Sequence, residues 1–383
     1  MTTDLTARPR LVSRALLLRF VSIAGSSIGF NLPLSVVPLF ARESGSDGQA
    51  GMVTVALLLA TVAAELVTPR LVNRVGYRWA LAAGLVLLGA PAIVLTFSGD
   101  LWVIVAVSVV RGAGFAITVV AGGAVTALLI PAERRGEGLA LTGLVVGVPG
   151  LLALPAGVWA AAHWGYDPVF VMTAVATLLA LLSVPGLPSR AATAKTEKGV
   201  LAGLRNPSLT RPAAIFATTT AAVGVLVTFL PLATSDQPAW VAATALFAQP
   251  AASTVARWFA GRLGDRRGPA SLLAPGLVLS AAGMALLAGP PAAVIGGAIV
   301  FGVGFGVLQN ATQALMYNRA PAGGESAVSA IWNGAYDLGM AAGALGAGLV
   351  VTSAGYAMTF VLSAAVILPA LVLVRRDRRD RRA

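Results

Sequence analysis

The chain has 383 residues, of which 57% are hydrophobic and 11% charged, and its mean hydropathy is +0.84. A soluble domain averages about 45–50% apolar and about 25% charged residues, so an ordinary aqueous surface is excluded and lipid must cover much of the exterior. With no cysteine and a single histidine, His163, disulfides, thiolate or histidine metal clusters and a histidine-based catalytic triad are excluded as well, and neither metal nor cofactor is expected.

Taken in chain order, twelve apolar stretches predict membrane-spanning helices at about 16–41, 50–72, 78–97, 101–129, 138–162, 167–185, 211–233, 238–260, 270–288, 291–317, 325–353 and 356–374. Most reach the roughly 20 residues needed to cross a bilayer, and the longer ones have room to tilt. The first is too long for the apolar region of a signal peptide and has no small-residue cleavage site, which predicts that it is retained. All but three of the 27 Lys and Arg residues fall at the termini or in even-numbered loops; Arg111 and Arg257 lie within spans and Arg42 in an odd-numbered loop. The odd-numbered loops carry the acids Glu43, Asp47, Asp100, Asp167 and Asp236. By the positive-inside rule this predicts that both termini are cytoplasmic, and a multi-pass protein of the plasma membrane is expected. The net charge of +12 is thus a topology signal, not a nucleic-acid surface. The tail Arg375–Arg382 reads as a juxtamembrane anchor attracted to anionic lipid.

The chain repeats itself. Pro69-Arg70-Leu71-Val72-Asn73-Arg74-Val75-Gly76 returns 192 residues later as Gly261-Arg262-Leu263-Gly264-Asp265-Arg266-Arg267-Gly268. Pro38-Leu39 matches Pro231-Leu232, Gly114-Phe115 matches Gly304-Phe305, and Pro131 matches Pro321, at nearly the same offset. This predicts two six-span halves, residues 1–187 and 212–375, joined by a cytoplasmic linker at 188–211 and followed by a basic tail at 376–383. Within the linker, Val200–Arg205 is placed to lie as a short interfacial helix.

Two six-span halves joined in this way resemble the major facilitator superfamily, over roughly residues 15–375. The second-half turn, Gly261-x3-Asp265-Arg266-x-Gly268, carries the family's loop motif in full; the first copy keeps Arg74 and Gly76 but has Pro69 and Asn73 at the Gly and Asp positions. Arg111-Gly112-Ala113-Gly114 resembles the family's intramembrane Arg motif, and Pro131–Glu137 the loop between spans four and five. In span five, Gly143, Gly147, Pro149, Pro155 and Gly157 resemble the motif of drug–proton antiporters, with the proline displaced by one residue. The resemblance implies an all-α integral membrane protein, with twelve helices in two pseudo-symmetric halves around a central cavity. It also implies a monomer working by alternating access: a multidrug-type, proton-coupled antiporter exporting a small hydrophobic or cationic compound. Uptake of a sugar or organic acid by symport is the first alternative, and a transporter-like membrane sensor the second. No nucleophile–base pair or phosphate loop supports an enzyme, and no nucleic-acid partner is expected.

The residue chemistry gives roles to these positions. Asp265 is suited to accept from amide groups at a neighbouring helix N-terminus, with Arg262 and Arg266 pairing across. Asn73 brings no charge, so the first-half latch is expected to be weaker. An ionisable side chain at mid-membrane costs at least about 2.5–3.5 kcal/mol and is functional by default. Glu65, Arg111, Arg257 and Asp337 are therefore expected to serve coupling or gating. Glu65 lies eight residues before Asn73 and Arg257 eight before Asp265, so the repeat puts an acid and a base at equivalent places. Asn31, Gln309, Asn310, Thr312 and Gln313 are costly in lipid unless satisfied internally. With Phe30, Trp332 and Tyr336 they are candidates to line an amphipathic substrate pocket, helix–helix hydrogen bonding being the alternative. His163, near the outer end of span five, reads as a surface histidine.

Overall fold

The computed structural model describes residues 11–34, 36–43, 50–189, 200–234 and 237–379. Asp47, Asp236, Ala191–Lys198 and the last four tail residues lie outside the described residues. The fold is all-α. Span one is the helix Arg14–Asn31, capped by the Ser13 hydroxyl, broken at Pro33 and continued by Val36–Glu43. Span two is Ala50–Val75, span three Tyr77–Gly89 with a 3₁₀ extension Ala90–Thr96, and span four Leu101–Leu129. Spans five and six are Arg135–Trp164 and Tyr166–Ala180, the latter extended by Leu181–Gly186. After the short helix Val200–Leu204 come span seven, Pro207–Ala233, span eight, Ala239–Arg267, span nine, Leu273–Leu286, and span ten, Pro291–Asn318. Spans eleven and twelve run through Glu325–Ile367 with a break at Gly355, and Ala370–Arg379 is the last described helix.

Span boundaries follow from local chemistry. Gly76 and Gly268 have φ of 82° and 80°, in the left-handed region that favours glycine, so the two copies of the repeat turn the chain in the same way. Gly355 at φ 74° separates spans eleven and twelve where the apolar stretches divide. Span seven begins at Pro207, four residues earlier than the predicted 211, because the Asn206 side chain caps the Ser208 amide at 3.0 Å and Pro is tolerated in a first helical turn.

Eleven segments among the described residues are long and apolar enough to cross a membrane. The remaining predicted span, Ala239–Arg267, is equally long, but Gln249, Ser253, Thr254 and its charged end dilute it. Large apolar side chains such as Leu59, Phe97, Leu182, Leu345 and Leu349 are exposed, as a lipid-covered exterior allows. Trp79, Trp102, Trp164 and Trp240 are exposed near span ends, the usual place of an aromatic belt.

The pairs of packed helices repeat along with the sequence. Span two on four matches eight on ten, three on four matches nine on ten, and one on five matches seven on eleven. Between the halves, span five packs on eight and, less closely, spans four and two on eleven. The tail is more than a solvated basic anchor. Arg319 donates to both carboxylate oxygens of Asp377, at 2.8 and 2.6 Å, and to the Ser208 carbonyl, tying the final helix to the start of span seven.

Candidate functional site

The hydrogen bonds joining the halves cluster at the end that carries the basic loops. Asp265, at the end of span eight, accepts from the Gly136 amide at 2.7 Å and the Glu137 amide at 2.8 Å. Both belong to the first turn of span five, where unpaired N–H groups and the helix dipole favour an anion. The contact requires glycine on both sides: a Cβ on Gly136 would lie 2.5 Å from the Gly261 carbonyl oxygen, and one on Gly261 would collide with that of Gly136. Glu137 pairs with Arg134 at 2.7 Å and with Arg262 at 3.6 Å, and Arg262 also lies over the Trp258 ring. Asn310 of span ten donates to the Gly136 carbonyl at 3.0 Å, and Arg135 donates to the Asn318 side chain at 2.9 Å.

The first-half copy is built differently. Asn73 and Arg74 are exposed, and among the described residues neither joins a hydrogen bond or ion pair. The equivalence of the two turns therefore ends at the backbone. Arg266 borders the cluster around Asp265 without an ion pair of its own among the described residues.

The ionisable groups deeper in the helices fall into two sets. Glu65 and Asp337 form the first, which bridges the halves. Glu65 is 3% exposed, its Oε2 has no hydrogen-bond partner, and it lies within electrostatic range of Asp337. Arg257 belongs with them: its guanidinium rests on Gly143, where a Cβ would lie 2.6 Å from Cζ, and its Nε is buried without a partner. Tyr336 is in electrostatic range of both Asp337 and Arg257. Counted along their helices, Glu65 and Arg257 sit about 12 Å inward from Asn73 and Asp265.

Arg111 belongs to the second set and joins only first-half elements. It is 1% exposed and donates to the Leu88 carbonyl at 3.2 Å and the Gly29 carbonyl at 2.9 Å, cross-linking spans one, three and four. Arg19 is its unforeseen companion. Counted with the N-terminus on sequence grounds, it is buried inside span one and donates to Gly122, Thr126 and Ser22. Its position three residues inside the first apolar stretch was the available signal.

The polar candidates divide in the same way. Gln309 and Gln313 are half-buried on one face of span ten, and Asn31 borders Gly150 of span five while donating to its own Ser27 carbonyl. Asn310 is 1% exposed and spent on the Gly136 carbonyl. Trp332 is 7% exposed; it donates to Thr312 at 3.1 Å and stacks on Phe216, inside the second half. Tyr336 is half-buried beside the same aromatic group, and Phe30 stacks on Phe115. Span five's small residues serve close approach: Gly143 admits Arg257, Gly147 faces Thr254, and Gly157 abuts the Leu32 carbonyl. Pro149 and Pro155 are accommodated within its helix. His163 is exposed and stacks on Trp159.

Sequence comparison matches the family description Major Facilitator Superfamily to residues 19–323 and 233–383. None of the curated protein sequences matches the chain. Two solved structures share its fold over 94% of its length: the human organic anion transporter MFSD10 (TETRAN), with TM-score 0.78 and 16% identity over 99% of that chain, and the E. coli fucose:proton symporter FucP (N162A), with TM-score 0.77 and 14% identity over 98%. FucP in the outward conformation is similar at TM-score 0.75 and 14% identity, covering 94% of this chain and 98% of that one.

Proposed function

The chain belongs to the major facilitator superfamily, and we propose that this membrane transporter is a proton-coupled antiporter that exports a small hydrophobic or cationic compound. One observation carries the proposal: Glu65 of span two is buried with an unpartnered carboxylate oxygen within electrostatic range of Asp337 of span eleven. Two acids from opposite halves cannot both remain charged and unpaired in a low-dielectric interior. A proton or a cationic substrate relieves the repulsion, and competition between them for the same acids is the basis of antiport. Arg257, on the facing span eight, then supplies the repulsion that releases a bound cation when the halves rock.

In this reading residues 1–187 and 212–375 are the rocking bodies and 188–211 the link between them. The basic loops face the cytoplasm, so the contacts around Asp265 close the cytoplasmic side of an outward-facing state. Gln309, Gln313, Asn31 and Tyr336 supply the polar and aromatic lining of the pathway. Asn310 and Trp332 support it from behind. The second reading is symport of an organic acid, favoured by the partnerless Nε of Arg257, which suits a carboxylate.

Proton flux in proteoliposomes, with lipophilic cations, neutral drugs, sugars or organic acids added under an imposed pH gradient, separates the two. Proton movement opposite to a lipophilic cation supports antiport; proton movement alongside an organic acid replaces it with symport.

A further inference from the structure

Where the repeat would place a second latch, the structure has a groove. It encloses about 1150 Å³ between the end of span two, the short helix Val200–Leu204 and the start of span eleven, and Asn73 and Gly324 both line it. Two differences from the other half fall at this place. Pro69 stands where Gly261 allows the tight crossing in the other half, and Asn73 stands where Asp265 reaches a helix N-terminus. Spans two and eleven still touch, but no carboxylate of the loop motif enters the gap between them.

The groove walls are amphipathic. Leu66, Val67 and Leu201 are 54%, 55% and 69% exposed, an apolar surface along the groove. Arg70 and Arg205 stand on opposite walls, from span two and from the segment after the short helix. Both are exposed, and among the described residues neither makes an ion pair. A cationic pair above an apolar slot, at the end of a helix bundle, complements one kind of molecule: an anion that carries hydrocarbon.

We propose that the groove binds one anionic phospholipid from the leaflet next to the basic loops, its phosphate between Arg70 and Arg205 and an acyl chain along Leu66, Val67 and Leu201. The lipid bridges the first half, through Arg70, to the second, through the helix that precedes span seven. It supplies from the membrane the negative charge that Asn73 lacks. This site depends on the membrane orientation of the chain and not on its substrate or direction of transport.

The test is lipid binding to the intact purified protein in detergent, followed by native mass spectrometry during titration with phosphatidylglycerol or phosphatidylcholine. One phosphatidylglycerol should bind in preference to phosphatidylcholine. R70Q/R205Q should weaken that binding about thirtyfold, at roughly 1 kcal/mol for each basic residue near a membrane surface. R70K/R205K, which keeps the charges, should retain the lipid and so separate recognition from misfolding. R375Q/R376Q, which removes basic charge from the tail, should retain it too. Equal binding of the two lipids, equal binding to wild type and R70Q/R205Q, or an equal loss in the tail variant would overturn the proposal. Displacement of the lipid by inorganic phosphate would also overturn it, in favour of a soluble anion site.

Discussion

Asp265 and Gly136 are joined across the two halves by a 2.7 Å amide hydrogen bond, and Glu137 adds a second amide to the same carboxylate. At the matching place in the first half, Asn73 is exposed and bonds to nothing among the described residues. A pseudo-symmetric fold is thus closed asymmetrically, and the consequences can be measured.

Asp265→Asn removes the charge and leaves one good acceptor where there were two. Hydrogen bonds to charged groups contribute about 1.5–3 kcal/mol, so the closed population should fall at least about tenfold relative to the open one. Asn73→Ala should leave it within about twofold. Distances between spin labels on the basic-loop ends of spans five and eight report the change. Transport at equal membrane abundance should fall in the same order, and equal rates for the two variants would contradict this asymmetry.

Gly261→Ala should open the same seam by collision, because its Cβ meets the Gly136 carbonyl backbone, which has little room to yield. Asn310→Ala deletes one neutral hydrogen bond to that carbonyl, a loss of about 1 kcal/mol. Spin-label distances should therefore shift further in the glycine variant than in the asparagine variant.

Arg111 and Arg257 should respond oppositely to neutralisation. Arg111→Gln breaks two bonds to carbonyls on different spans and should lower thermal stability by about 2 kcal/mol. Arg257→Gln removes a buried charge whose Nε has no partner, so stability should hold or rise while transport falls. A thermal melt paired with a transport assay on each variant reads both effects.

If the proposed coupling holds, Asp337→Asn should flatten the dependence of transport on pH, because it removes an ionisable group within electrostatic range of Glu65. Initial rates across a pH series, in wild type and variant at matched abundance, check this. An unchanged profile removes Asp337 from coupling.

Much of the fold was legible because its determinants are local. Apolar length gave the spans, including the division between the last two, and the Gly76 and Gly268 positions gave the turns. The amide-facing position of Asp265 was legible too, since a carboxylate next to a helix N-terminus follows from backbone electrostatics. What the sequence hid is long-range. Arg19 looks like a flanking positive residue until Gly122 and Thr126, more than a hundred residues away, are seen to accept from it. Asn310 and Trp332 look like pocket residues until Gly136 and Thr312 are found beside them. Asp377 reads as one acid in a basic tail until Arg319 grips it. Polarity marks such residues as costly in lipid, but only the packed structure says who satisfies them.

The most direct test of the central claim compares Glu65→Gln with wild type in proteoliposomes preloaded with a transported lipophilic cation. The variant should still exchange internal for external substrate but no longer accumulate it against its gradient when a pH gradient is imposed. Accumulation at the wild-type level would contradict the assignment of Glu65 to proton coupling.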